Sequence, residues 1–478
     1  MNMPSNNPCF DENRNGSLPR RNIAGLPLLA ELVLCVGAIL GSAQALPAAE
    51  TAPENGYTVS PRVATPIVLR TLPDAACDLH AVGVADAAHS LRLYANGDGY
   101  FKFNVTPRQE SPGDGDHIQI DCTSDGNVTT HRLHVRAGDE PTPDMPAPET
   151  AMPAPSGSKV LPPLTDSEAQ VLSREQLLAR GYPPRPDVAA LPESYLKWLK
   201  AVSRPITVLP SHGVAHTEIS HHRTGLEEGP TTTENTHWSG FVAGPRSSGY
   251  YDSIQATWNV PEVAAGPGVG THTYSGFWVG IDGYYCAAGG TCPGIPVSND
   301  VEQAGTEQDY LSTAAMNYAT YYAWTELYPT QPQAQEVMNV GAGDPMTVWV
   351  WIGDADATID PSGAYVWYYI YDSQLSEVVL TSTALGATNH PLISAEWIME
   401  RPLDTATDHL DLLSNYHKAF MSDAYVQNFE GTEFGAESAS WLQFTMYNEG
   451  YVGSDDNELS SAALTGPASI SFTWHNYN

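Results

Sequence analysis

Basic residues are what this chain most lacks. Lys and Arg number 21 in 478 residues against 55 Asp and Glu, a formal net charge of −34. From residue 236 to the end the imbalance is steeper, with 28 acidic residues facing only Arg246, Arg401 and Lys418. Such a surface repels a phosphate backbone, which excludes nucleic acid as a partner. It also repels itself at neutral pH. Near pH 4, by contrast, about half of its carboxyls would carry a proton, since unperturbed Asp and Glu titrate at roughly 3.9 and 4.3. The C-terminal region therefore reads as built for acid; solubility or salt tolerance is the plainer alternative for the same composition.

Long apolar runs are nearly absent too. The one from Ile23 to Gly41 follows Arg20 and Arg21 and is followed by Ala43-Gln44-Ala45, the pattern of a secretory signal peptide over residues 1–45. A membrane anchor is the alternative, but Pro27 and Glu31 interrupt the run, and no later segment is apolar enough to span a bilayer. The expectation is a secreted, monomeric protein without membrane contact once the leader is gone. Cysteine is sparse as well: Cys9 and Cys35 fall in the leader, leaving Cys77, Cys122, Cys286 and Cys292, which allow three pairings. No C-x-x-C or zinc spacing competes with disulfides in an oxidising compartment. The domain limits below favour Cys77 with Cys122 and Cys286 with Cys292.

Residues 46–137 alternate in short runs around Gly-rich turns. Leu91–Tyr94 and Tyr100–Phe103 around Asn96-Gly97-Asp98-Gly99 read as one hairpin, and His117–Cys122 with Thr130–Val135 as a second. This predicts a small disulfide-stapled β domain. Residues 138–165, rich in Pro, Ala and acid, are a linker. In 166–235 the period changes: Ser167–Arg180 has helical spacing, and Tyr195, Trp198, Leu199 and Val202 fall on one helical face before Pro205. A basic amphipathic helix upstream of so acidic a region suggests an inhibitory prosegment docked by charge and apolar face. The plainer reading makes it an integral part of the main fold. Residues 236–478 then form many short aromatic and β-branched runs between Gly, Pro and Asp turns, the pattern of an all-β antiparallel sandwich or jelly roll.

Familiar catalytic motifs are missing: no H-E-x-x-H, no Walker loop, no G-x-S-x-G elbow and no G-x-G-x-x-G opening a helix. His221-His222 lies in the prosegment region and reads as a turn or processing site. Asp354, Asp356 and Asp360 lack the Gly and terminal Glu of a calcium loop and read as a solvated acidic turn. No metal or cofactor is expected.

What is present is an ordered set of segments. They are His237-Trp238-Ser239-Gly240, Thr257-Trp258-Asn259-Val260-Pro261, Phe277-Trp278-Val279-Gly280-Ile281-Asp282-Gly283, Glu302-Gln303-Ala304-Gly305, Ala323-Trp324-Thr325-Glu326-Leu327-Tyr328-Pro329 and Ala395-Glu396-Trp397-Ile398. In that order they resemble the glutamic peptidases, or eqolisins, over roughly residues 236–445. The resemblance implies a concanavalin-like sandwich of two curved sheets, peptide-bond hydrolysis, and Gln303 with Glu396 as the catalytic pair. Trp278, Asp282, Trp324 and Glu326, with Trp238 and Glu307, would line the cleft, bind substrate or orient the pair. The sequence departs from the family at Ala304, Leu327 and Glu307, none of which removes a reacting group. An extra loop with Cys286 and Cys292 precedes Gln303 and makes Gln308 its nearest rival.

The chemistry stands without the family. Hydrolysis needs a base for water, a stabilised oxyanion and an acid for the leaving amine. Glu396 can take and return the proton, while Gln303 offers its amide to the oxyanion and avoids the like-charge coupling of two carboxylates. The expected partners are protein or peptide substrates and the chain's own prosegment as intramolecular inhibitor. Three rivals remain: a carbohydrate-binding lectin-like sandwich, a glycoside hydrolase using Glu326 and Glu396, and a binding protein descended from a peptidase.

Overall fold

Alternation of period two builds the C-terminal half. In Gly276–Asp282, for example, Phe277, Val279 and Ile281 face one way and Trp278, Gly280 and Asp282 the other. The computed structural model describes residues 55–477 apart from 60–63, 83–89, 108–116, 138–152, 184, 187, 189–191, 212, 222–233, 245–250, 285–299, 314–315, 361, 387–389, 406–408 and 449–456. The leader, most of the linker and the Cys286–Cys292 pair lie outside the described residues.

Five strands carry the region of interest: β1 (Trp238–Ala243), β2 (Gly276–Asp282), β3 (Val301–Ser312), β4 (Met316–Tyr328) and β5 (Ala395–Glu400). They lie side by side in the order β1-β5-β2-β3-β4, antiparallel throughout. Ser440–Tyr447 extends this sheet beyond β1 and Gln331–Asn339 beyond β4. A second antiparallel sheet runs Ser469–Trp474, Lys418–Asn428, Tyr251–Asn259, Pro345–Gly353, Tyr365–Asp372 and Glu377–Ala384. Between the two, Phe277, Val279, Trp397 and Met399 meet Ile254, Trp258, Val348 and Ile370. Burial is worth about 1.5–3 kcal/mol for each large apolar side chain, so this inter-sheet layer holds the sandwich together. The other face of the first sheet is left for chemistry.

The helices of the 166–235 region do not reach that face. Pro192–Val202 buries Trp198 and Val202, with Leu177 of Arg174–Leu178, against Trp349, Trp351, Tyr369 and Tyr371. Those aromatics alternate with the inward Val348 and Val350, so the helix packs on the outer side of the second sheet. Lys159–Leu161 and Ile206–Val208 add two strands to that sheet's edge beside Glu377–Ala384. Lys197 and Lys200 point to solvent, and the docking cations include Arg174, 3.9 Å over the Trp349 ring and 3.3 Å from Glu433, and Arg204, which donates to the Ser373 carbonyl.

Upstream, His117–Ser124 and Asn127–Ala137 form the expected second hairpin. Asp125 (φ 50°) and Gly126 (φ 78°) supply the left-handed pair that such a turn requires. Cys77 and Cys122 are bonded across directly opposed positions of neighbouring strands. The first expected hairpin does not form. Ser90–Tyr94 pairs with Ala76–Val82, whereas Tyr100–Pro107 pairs with Thr65–Arg70 and with Met316–Ala319 of β4. The Asn96 carboxamide accepts the N–H groups of Asp98 and Tyr100 and turns the chain out of the small sheet. Phe101, Phe103 and Val105 then bury against Leu311, Met316 and Tyr318, a larger apolar gain than a two-stranded ribbon offers.

Candidate active site

Register places the chemistry. Gly280 of β2 pairs with Glu396 of β5 on one side and with Gln303 of β3 on the other, and Gln303 pairs in turn with Glu326 of β4. The four form one row on the face away from the inter-sheet core. The backbones of Gln303 and Glu396 are two strand spacings apart, about 9–10 Å. The next row is Ile398, Trp278, Gly305 and Trp324, and the one after it Glu400, Gly276, Glu307 and Tyr322. Gln308 has the opposite parity: its amide donates to Thr306 Oγ1 at 2.8 Å, on the other side of β3.

The missing side chains matter as much as those present. A Cβ at Gly280 would lie 3.1 Å from Gln303 Cβ and 3.0 Å from Trp278 Cζ3. The glycine floor thus leaves an open trough between the pair. Gln303 Nε2 donates to Glu326 Oε2 at 3.3 Å. Five buried polar atoms of this neighbourhood, Gln303 Oε1, Trp324 Nε1, Glu326 Oε1 and both Glu396 oxygens, have no hydrogen bond of ordinary geometry among the described residues. Buried polar groups are nearly always satisfied, so such a concentration marks a place built to receive a polar ligand.

A model of the Peptidase A4 family matches residues 236–471. Residues 236–471 belong to that family. Similar solved structures include scytalido-glutamic peptidase with a transition state analog inhibitor, at 16% identity and TM-score 0.37, covering 50% of this chain and 98% of the other. They also include SCP-B, a member of the eqolisin family, in complex with the tripeptide Ala-Ile-His, at 17% identity and TM-score 0.35, with the same coverage. No curated protein matches the chain. The Peptidase A4 membership makes the chain a glutamic-type peptidase.

Within the Peptidase A4 region, burial governs the electrostatics. It pushes the carboxyls of Glu396, Glu326, Glu307 and Glu400 well above the usual range. The Ser394 side chain and the Tyr284 N–H partly offset the rise at Glu396, while Asp282 and Glu302 add to it. Asp282 stands in the left-handed region at φ 61°, where its carboxylate accepts the N–H groups of Leu392 (2.8 Å) and Ile393 (2.9 Å). It therefore clamps the backbone that leads into Glu396. Trp238 and Trp278 donate their indole N–H groups to the two oxygens of Glu400, at 3.1 and 2.7 Å. Glu400 was not among the residues singled out from the sequence. Its signal was there, since residue 400 lies four after Glu396 on the same strand face.

A segment of the chain's own 166–235 region crosses the rows beside the trough. Val214–Ala215 pairs with Gln335–Glu336 beyond β4, and Ile219–Ser220 pairs with Leu403–Asp404 just after β5. Between them the segment straps across the sheet. His216 stacks on Tyr322 with ring centroids 4.2 Å apart and lies 2.9 Å from Glu336 and 3.1 Å from Glu218. Burial alone would lower it, but those carboxylates outweigh the burial and raise it to about 9. His221 is fully buried against Trp324, and burial lowers it to about 3. The reading of His221 as a turn or processing site thus gave no hint of where it lies.

Asp282, Glu302 and His390 are grouped closely enough to suggest a metal. His390 Nδ1 meets Glu302 Oε1, and Nε2 meets the Leu385 carbonyl at 3.0 Å. Against the cost of burial, these partners raise it to about 9. An imidazolium donating on both sides has no lone pair for an ion. Asp354 and Asp360 each accept backbone N–H groups, from Asp356 (2.9 Å) and Ser362 (2.9 Å), and so cap their own turns.

Proposed function

We propose that the chain is a secreted, acid-active endopeptidase made as a proenzyme, using Gln303, Glu396 and an activated water. The observation that carries this reading is the row in which Gln303 and Glu396 flank the side-chain-free Gly280, with Gln303 Oε1 and both Glu396 oxygens lacking a hydrogen bond of ordinary geometry among the described residues. A peptide carbonyl laid over Gly280 has a carboxyl on one side and a carboxamide on the other.

In the open cleft an ionised Glu396 takes a proton from water as the water attacks the carbonyl carbon. The developing oxyanion accepts from the Gln303 amide, which is neutral and so raises no like-charge penalty. Glu396 then returns the proton to the leaving amine as the C–N bond breaks. Glu326, held protonated by burial, can donate to the Gln303 carbonyl oxygen and so turn the Gln303 NH₂ toward the substrate. Because the family's water is activated by a carboxylate, the scheme asks nothing of a metal, Ser or Cys.

The strap Val214–His221 supports the proenzyme part of the reading, since it lies on the Trp324, Glu307 and Glu400 rows of the sheet face that also carries Gly280. The helix on the outer face anchors the prosegment but does not block the cleft. The test is a Glu396→Gln variant of the full chain, shifted to about pH 4 and followed for its own shortening and for digestion of an unfolded protein. Loss of both in a folded variant supports the reading. Equal activity of parent and variant removes Glu396 from the role of base.

A further inference from the structure

His221 lies in a slot whose chemistry is narrower than blocking a cleft requires. Its ring is parallel to that of Trp324, centroids 3.9 Å apart and planes 3° apart. Its Nε2 is 3.3 Å from Glu307 Oε2 and its Nδ1 is 3.4 Å from Glu400 Oε2. The floor is Gly276, where a Cβ would come within 3.0 Å of the imidazole Cε1 and Nδ1. The slot therefore has one aromatic wall, a carboxyl at each end and a floor only glycine can supply, and its occupant is 0% exposed.

Each element excludes a different side chain. A phenyl ring would stack on Trp324 but bring nothing polar to Glu307, while Glu400 keeps the indole N–H groups of Trp238 and Trp278. A lysine ammonium could meet one carboxyl but has no flat face for the indole. Imidazole alone among protein side chains combines a five-membered flat ring with polar nitrogens directed to opposite ends.

We propose that the Trp324, Glu307, Glu400 and Gly276 slot is a side-chain subsite that takes the imidazole of a histidine in a peptide substrate, with His221 as its resident occupant. This rests on the peptidase reading of the cleft, and it adds a substrate class: peptides with a histidine away from the scissile bond. The slot lies two rows from the Gln303–Glu396 row, four residues along β2 or about 13 Å.

The test uses the full chain with His221→Gly, which empties the slot and keeps Gln303, Glu326 and Glu396 in place. Free imidazole is titrated at about pH 5 while Trp fluorescence and thermal midpoint are followed, with toluene as the apolar control. Imidazole is expected to raise the midpoint and toluene to leave it unchanged; equal effects of the two, or none, overturn the proposal. Labelled peptides differing only in one His or Ala are then compared by anisotropy on the same variant carrying Glu396→Gln. The His peptide is expected to bind at least ~10-fold tighter, a preference abolished by Glu307→Gln. Equal affinities overturn the subsite. Cleavage of the same peptides by the single variant reports separately on the peptidase reading, so a chain that binds His peptides and cleaves none refutes the chemistry while leaving the slot.

Discussion

Raising the pH from 4 to 8 should unfold this protein. Among the described residues the buried charged groups include eleven acids, Asp252, Asp282, Asp300, Glu302, Glu307, Asp309, Glu326, Asp344, Asp372, Glu396 and Glu400, against the single cation Arg401 and a few histidines. So few cations cannot pair so many carboxylates, and burial raises most of them instead. Asp309 moves from 3.8 to about 7 and Asp411 from 3.8 to about 8, in each case chiefly through burial. A carboxyl raised in the fold contributes stability that is fully present below its unfolded value and lost as pH climbs through its folded value. At 1.36 kcal/mol per unit, Asp309 alone withdraws roughly 4 kcal/mol between pH 4 and 7. Two or three such groups consume the 5–15 kcal/mol typical of a domain. His216 and His390, both raised to about 9, act in the same direction, their contribution being present below about 6.5 and lost toward 9. His221 and His131, both lowered by burial, oppose it, as does Glu218, lowered to about 2 chiefly by His216. They are too few to reverse the sign, though they set the acid limit. Urea unfolding of the full chain, followed by Trp fluorescence at each pH unit from 4 to 8, is expected to show a falling midpoint at constant slope. A midpoint that holds or rises across that range refutes the reasoning.

Other expectations are narrower. Gly280→Ala forces a Cβ to within 3.1 Å of Gln303 Cβ and is expected to lower kcat at least ~10-fold with a small change in thermal midpoint, read by steady-state kinetics. Reducing Cys77–Cys122, which closes 45 residues, is expected to cost about 4 kcal/mol in the upstream β unit, measured by urea unfolding with and without reductant. Trp198→Ala removes the anchor of the Pro192–Val202 helix at about 3–5 kcal/mol. It should raise hydrogen exchange in that helix and in Trp349–Trp351 while leaving β2 and β3 protected.

The sequence spoke most clearly where an interaction is local. Alternation marked the strands, Asp125-Gly126 marked a hairpin, and the wording around Gln303 and Glu396 singled out two residues that the fold brings into one row. It was silent wherever long-range pairing decides. Nothing near residue 396 says that β5 lies against β2, some 120 residues earlier, and without that register neither the Gly280 floor nor the grip of Glu400 on Trp238 and Trp278 can be drawn. The Leu91–Phe103 hairpin failed for a related reason. The turn chemistry was right, but Phe101 and Phe103 had a better partner in β4, two hundred residues away. The basic helix docks by its apolar face and by Arg204, which donates to the Ser373 carbonyl, while its lysines face solvent.

On the proenzyme reading, the strap and the protonation of the cleft are two parts of one lock. With His221 seated, Glu396 is fully buried and burial holds its carboxyl protonated well above the ordinary range, so it cannot act as a base even if substrate found a way in. Once the strap leaves, water reaches the trough, the desolvation penalty falls and the group returns toward its ordinary value. An acid-active enzyme needs that return, because a base protonated at pH 6 is idle at pH 4. The infrared carbonyl band of protonated Glu396, isolated as the difference between the parent and Glu396→Gln, is therefore expected at pH 6 in the closed full chain and lost in His221→Gly at the same pH. A band present in both would mean that the trough stays dry without its strap, and that removing the prosegment relieves a steric block alone.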